Sequence, residues 1–162
     1  IKGTKTLVVN NHLESNGLST DDKEEFKTLV KGNMGTGEAK DESFHLLRKL
    51  GSVSVRRAPQ AEAVARYVRK YLDRKVPVIL CGDFNDSPIS YARHTIAKGL
   101  TDCFIATGNG LGVSYHNGGM YVRIDHIMCS KDWQPYGCKV DRSIGESDHY
   151  PILCWLKKQG KH

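Results

Sequence analysis

The sequence predicts an α+β fold with a mixed or mainly antiparallel sheet and helices on one face. Three observations lead there. The first half of the chain alternates strand-like and helix-like patterns, and the second half is strand after strand. Two runs, VPVILC (76–81) and YPILCWL (150–156), are apolar on both strand faces and so need cover on both sides. Of the 162 residues, 39% are hydrophobic and 26% charged, which suits one ordinary domain with a core and argues against disorder.

The elements follow in order. Residues 5–10, KTLVVN, read as a strand. Ser19 or Thr20 caps a short helix, with Asp21, Asp22 and Glu24 in its first turn; it runs to about Val30 and stops before Gly32. Residues 32–40, GNMGTGEAK, read as a glycine-rich loop, and a second short helix over 41–50 ends at Gly51. The clearest helix is 57–74, where Ala61, Val64, Ala65, Val68 and Leu72 form one apolar stripe. After the strand at 76–81 comes a helix over 90–98. Strands at 112–116, 120–129, 136–142 and 150–156 complete the chain.

Composition narrows the function classes. A net charge of +6 favours anionic partners, but no dense Lys/Arg run with interleaved aromatics marks a nucleic-acid surface. The acidic cluster at 21–25 argues mildly against a DNA-binding wall there. No apolar run approaches the ~20 residues of a membrane helix. The first residues hold neither an initiator Met nor a signal-peptide core, so the chain reads as a fragment or processed product whose compartment is left open. Five cysteines, none in CxxC, argue against structural zinc and a disulfide framework, with a single pair left open. Cys81, Cys129 and Cys154 lie in apolar runs and are expected as buried thiols.

Four polar islands stand at or near strand ends: Asn10-Asn11-His12-Leu13, Gly82-Asp83-Phe84-Asn85, Arg123-Ile124-Asp125-His126 and Ser147-Asp148-His149. Asp83 and Asn85, two apart, point to one side if the strand stays extended past Cys81. Taken singly, each island has an ordinary reading. Asp83 is a turn former, Asn85-Asp86-Ser87-Pro88 is turn chemistry, His12 is a core-edge histidine, and Asp148 caps a turn. Asp125 is different, since a carboxylate within an apolar strand must be paired or hydrogen-bonded.

Together, NHL, GDFN with a following proline, RID and a late SDH resemble the endonuclease/exonuclease/phosphatase superfamily, over about residues 5–156. Arg57-x-x-Gln60 is similar to that family's pattern as well. The resemblance implies a DNase I-like fold, a four-layer αββα sandwich of which this chain is the carboxy-terminal half, 1–162. It also implies site roles. Asp83 positions or deprotonates the attacking water, and Asn85 holds that water or a phosphate oxygen. Asp148 is a metal ligand, His149 contacts the scissile phosphate, and Asp125 orients and charges His149. His12 is a phosphate ligand or general acid, and Asn10 beside it belongs to the substrate-binding set. The implied cofactor is Mg²⁺, with Mn²⁺ able to substitute. A hard dication on carboxylate oxygens suits a phosphoester, whereas zinc lacks its nitrogen or sulfur set here.

The resemblance also implies an amino-terminal half that carries an Asn and the principal metal-binding Glu. The expected partners are therefore a phosphoester substrate and either that half or a second copy across an open sheet face. Nucleic acid stays open as substrate, beside phospholipid, inositol or sugar phosphates. The expected function is metal-dependent phosphoester hydrolysis by the parent protein, with the isolated chain inactive. The alternative is a non-catalytic phosphate-binding half-domain or an interaction fragment.

Overall fold

The structure, a computed structural model, describes residues 3, 5–30, 37–117 and 119–160. Its elements are β1 (Leu7–His12), α1 (Thr20–Val30), α2 (Gly37–Leu72), β2 (Val78–Asp83), α3 (Tyr91–Ile96), β3 (Thr101–Asp102), α4 (Cys103–Thr107), β4 (Tyr115–Asn117), β5 (Met120–Val122), β6 (Asp125–Cys129), β7 (Trp133–Val140) and β8 (Ile152–Lys158). Four strands form a mixed sheet in the order β1-β2-β6-β3; β4-β5 and β7-β8 are separate antiparallel pairs. β1 and β2 are parallel, and β6 runs antiparallel to both β2 and β3. Among the described residues no helix is long and apolar enough to cross a membrane.

Register decides which side chains share a face. Leu80 pairs with Met128, and both point to the side covered by α2 and α3. There they meet Leu7, Val9 and Val78 from the strands, Ala61, Val68 and Leu72 from α2, and Ala92 and Ile96 from α3, in a first core. The opposite face holds Val8, Asn10 and His12 of β1, Ile79, Cys81 and Asp83 of β2, and Asp125, Ile127 and Cys129 of β6. A second core of Cys103, Phe104, Cys129, Trp133 and Cys138 forms where α4 and the β7-β8 hairpin gather against β6. Towards β1 the face is open, with Val8 59% exposed.

Several expectations change. The two helices expected over 41–50 and 57–74 are one helix, running through both Gly51 and Pro59. Those residues cost about 1 and about 3 kcal/mol relative to alanine in a helix interior. Burial offsets this. Val53, Arg57, Ala61 and Val68 are all buried, a stripe at helical spacing that crosses the proline. The loop expected over 32–40 falls partly outside the described residues, and 37–40 belong to α2. The strand expected over 120–129 is two, divided at Arg123-Ile124. Cys129 is buried, but Cys81 and Cys154 are only half-buried, because their apolar strands have one incompletely covered face; all five cysteines are thiols.

Candidate active site

The sheet register builds the site. His12 ends β1, Asp83 ends β2 and Asp125 begins β6, and pairing places His12 beside Asp83 and Asp83 beside Asp125. Paired residues share a face. Three of the polar islands thus form one row at the rim of the open face. Gly82 permits the close approach of β1 to β2. Its φ is +142°, and a Cβ there would lie 1.8 Å from the Asn11 carbonyl oxygen.

The fourth island joins from the chain that leads into β8. His149 Nδ1 lies 2.8 Å from Asp125 Oδ2. Its other ring nitrogen, Nε2, is 3.9 Å from Asp83 Oδ2, and His12 Nε2 approaches the same oxygen at 3.5 Å. Asp83 Oδ1 accepts the Asn85 N–H at 2.7 Å, which aims Oδ2 at the two imidazoles. Asp148 accepts a hydrogen bond from Asn117 Nδ2 at 3.1 Å. His12, Asp83, Asn85, Asp148 and His149 line one cavity of about 330 Å³, with Lys23 of α1 and Tyr115 of β4 on its walls. Asp125 stands behind His149.

Asp83 and Asn85 reach this cavity by a route the sequence does not suggest. The strand stops at Asp83, and Asn85 sits at φ +50°, in the left-handed region that Asn tolerates better than most residues. Asn85 is buried and its Nδ2 donates to the Leu13 carbonyl at 3.0 Å, which ties the chain after β2 to the chain after β1. Asn10 lies one step along the open face from His12, exposed, and is not part of the cavity wall.

Burial pushes the Asp83 carboxyl above its ordinary value; the Asn85 N–H opposes this, the Asp125 charge adds to it, and His149 and His12 oppose it. The hydrogen bond from Asn117 holds Asp148 below the usual carboxylate range. Two neighbouring carboxylates, one of them desolvated, are costly alone and favoured beside a cation. Asp83, Asp125 and His149 present ligand atoms within 4.8 Å of one another. The residues therefore suit a hard divalent cation, although this cluster differs from the single ligand, Asp148, that the sequence pattern implies.

Sequence reasoning did not single out Lys23, Tyr115 or Asn117. The Lys23 ammonium sits 5.7 Å from the centroid of the Tyr115 ring, and Tyr115 packs edge-on against His149 at 5.1 Å. Tyr115 and Asn117 reach the site because β4 pairs with the chain at Asp148–Tyr150, and Lys23 because α1 meets the β4-β5 hairpin, as at Gly119, where a Cβ would lie 3.0 Å from Lys27 Cγ. No local sequence signal encodes that meeting.

The arrangement can be set beside known proteins. No curated protein matches the chain. It resembles the solved structure of an endonuclease/exonuclease/phosphatase family protein from Bacteroides thetaiotaomicron, with 23% identity and a TM-score of 0.51, over 67% of this chain and 48% of that one. A functionally unknown conserved protein from Enterococcus faecalis V583 matches with 17% identity and a TM-score of 0.55, over 95% of this chain and 50% of that one. The human nocturnin catalytic domain, solved with a bound sulfate anion, matches with 18% identity and a TM-score of 0.52, over 65% of this chain and 42% of that one. At such identities the likeness is one of fold. The chain spans about half the length of the solved proteins it matches. A family model described as the endonuclease/exonuclease/phosphatase family matches residues 18–149. With so much of its sequence inside that model, and on a fold these structures share, the chain belongs to the endonuclease/exonuclease/phosphatase family.

Proposed function

We propose that the protein containing this chain is a metal-dependent phosphoester hydrolase of the phosphodiesterase, nuclease or phosphatase type, which directs an Asp83-activated water at a phosphate held in the rim cavity. The observation that carries this reading is the row His12, Asp83, Asp125, with His149 seated between the two aspartates. With Nδ1 engaged by Asp125, His149 presents Nε2 to the cavity. That fixes which nitrogen meets a phosphate oxygen. His12 supplies a second imidazole from the neighbouring strand, and Lys23 adds a positive charge to the wall. Asp83, held through Oδ1, keeps Oδ2 for a water proton. Asn85 braces the loop through Leu13, and its side-chain oxygen is left to orient that water.

Mg²⁺ is the proposed cofactor and Mn²⁺ an acceptable substitute, held by Asp148 of the same cavity, since Asp83 Oδ2 serves the water and Asp125 Oδ2 serves His149. Bound there, the cation would neutralise charge on the phosphate. A dication with few protein carboxylates binds weakly. We therefore assign further ligands to a segment that completes the four-layer sandwich across the open sheet face. The half-length coverage of the solved relatives and the exposed Val8 support that assignment. A second copy of this chain is the alternative cover.

The test is hydrolysis of bis(p-nitrophenyl) phosphate by the full-length protein with Mg²⁺ or Mn²⁺. Activity is expected with either ion and is expected to disappear in EDTA. Full activity in EDTA would remove the metal role, and near-normal turnover by Asp83→Ala would remove the water-activating assignment.

A further inference from the structure

A second cavity, of about 530 Å³, adjoins the rim cavity and is not accounted for by the chemistry above. The two share Asn16, Asn85, Met120, Val122 and Ile124 in their walls, so they lie side by side. A phosphate in the first cavity would direct one of its ester substituents into the second. The volume falls within the range of small-molecule sites.

Its walls are of two kinds. Met120, Val122 and Ile124, from β5 and the bend before β6, make an apolar wall, with Tyr121 at the mouth. Ser54 and Arg57 of α2, with Asn16 and Ser87, make a polar wall. Arg57 and Asp86 are the only formally charged residues lining this cavity among those described, and they neutralise each other at 2.9 Å. The remaining bonds of the Arg57 guanidinium go to the Glu14 carbonyl at 3.0 Å and Asn16 Oδ1 at 2.6 Å. That arginine is thus committed to the protein. Among the described residues, a second phosphate entering here would find only a cation already paired with Asp86 to compensate its desolvation. The positive charge lies on the other side, at Lys23.

We infer that this second cavity is the leaving-group subsite and accepts a compact, uncharged, hydroxyl-bearing group, so that the substrate class is a phosphoester of a neutral, sugar-sized alcohol and not a polyanionic chain. The inference rests on the hydrolase reading above. An apolar wall facing a polar one suits a ring with a C–H face and hydroxyl edges, and the absence of net charge sets the selectivity against polyanions.

The experiment compares steady-state phosphate release by the full-length protein from glucose 6-phosphate and glucose 1,6-bisphosphate with hydrolysis of a ten-residue oligothymidylate bearing a 5′-phosphate, the last followed both as phosphate release and as shortening of the chain. Bis(p-nitrophenyl) phosphate serves as the general probe. The expected kcat/KM for glucose 6-phosphate is at least about tenfold above the other two, because each of them carries charge into a neutral cavity. Ser54→Lys, which adds a cation to the polar wall, is expected to narrow the bisphosphate gap by about fivefold; the wild-type series decides the question if that variant does not fold. Equal or better turnover of the bisphosphate or the oligonucleotide would overturn the inference. So would hydrolysis of the general probe with no release from glucose 6-phosphate, and in either case the hydrolase reading would stand. No turnover of any substrate, the probe included, would overturn both.

Discussion

Arg57 of α2 and Asp86 in the loop after β2 form an ion pair at 2.9 Å, with the arginine only 1% exposed. The same guanidinium holds the Glu14 carbonyl and Asn16, and Gln60, one turn along the helix, accepts the Glu14 N–H at 2.8 Å. One helix face thereby clamps the chain segments that follow β1 and β2, the strands ending in His12 and Asp83. Arg57→Met is expected to cost about 3 kcal/mol, read from the urea midpoint, because it leaves Asp86 without its partner. Arg57→Lys should recover little of this, since an ammonium cannot reproduce a fork with three separate acceptors. Wild-type stability in either variant would refute the clamp.

Asp125→Asn tests the imidazole–carboxylate pair. An amide is nearly the same shape but lacks the charge and can present either end to His149 Nδ1. The expected result is about a hundredfold lower kcat with KM little changed, since positioning is lost while the cavity walls stay. A change confined to KM would show that Asp125 serves substrate binding instead.

Gly82→Ala tests the approach of β1 to β2. A Cβ 1.8 Å from the Asn11 carbonyl oxygen must push the strands apart. Destabilisation of at least about 3 kcal/mol is expected. It should come with lost activity, because His12 and Asp83 flank the displaced pair. A thermal midpoint equal to wild type would contradict the register at this point.

Asp22 supplies a pH-dependent stability. Hydrogen bonds from Lys49 and Ser19 lower its pKa to about 2, against opposing burial. The unfolded-state value is about 3.9. The folded value is thus the lower one, so the stabilisation is complete above about pH 4 and fades as pH falls towards 2. The stability gap between wild type and Asp22→Asn, from denaturant melts at pH 6, 4, 3 and 2, should shrink only in the last part of that series. A gap independent of pH would mean that the Asp22 carboxylate is not stabilised by α2.

The candidate site was easier to read in the sequence than the architecture around it. His12 and Asp83 follow strands already evident in the sequence, whereas Asp125, expected inside a strand over 120–129, begins β6 because that strand is divided at Arg123-Ile124; strand pairing then brings all three to a shared rim. Asp148 and His149 arrive in the same cavity by the turn that precedes β8. What eluded sequence reasoning depended on distant contacts. Gly51 and Pro59 look like breaks until the buried stripe from Val53 to Val68 is seen to cross them. Thr101–Asp102 is too short to show strand periodicity, and Asp102 reveals its role only in three dimensions. It caps α4 and gathers Arg93, Arg123 and His126, whose donors hold its carboxyl well below the usual range although burial alone would raise it. The half-exposure of Cys81 and Cys154 likewise follows from which sheet face is covered, not from the apolar character of their strands.

The β7-β8 hairpin holds both tryptophans of the sequence, on opposite faces: Trp133 is buried in the second core at 5% exposure, and Trp155 stands outside at 63%, paired across the strands with Tyr136. The protein thus carries two native optical probes that report on different events. Trp133 should emit at the blue end and resist iodide until the second core melts. Trp155 should emit near the wavelength of free indole and be quenched readily, until something docks on the outer face of the hairpin. Selective quenching can therefore separate loss of the core from occupation of that surface, with no label attached.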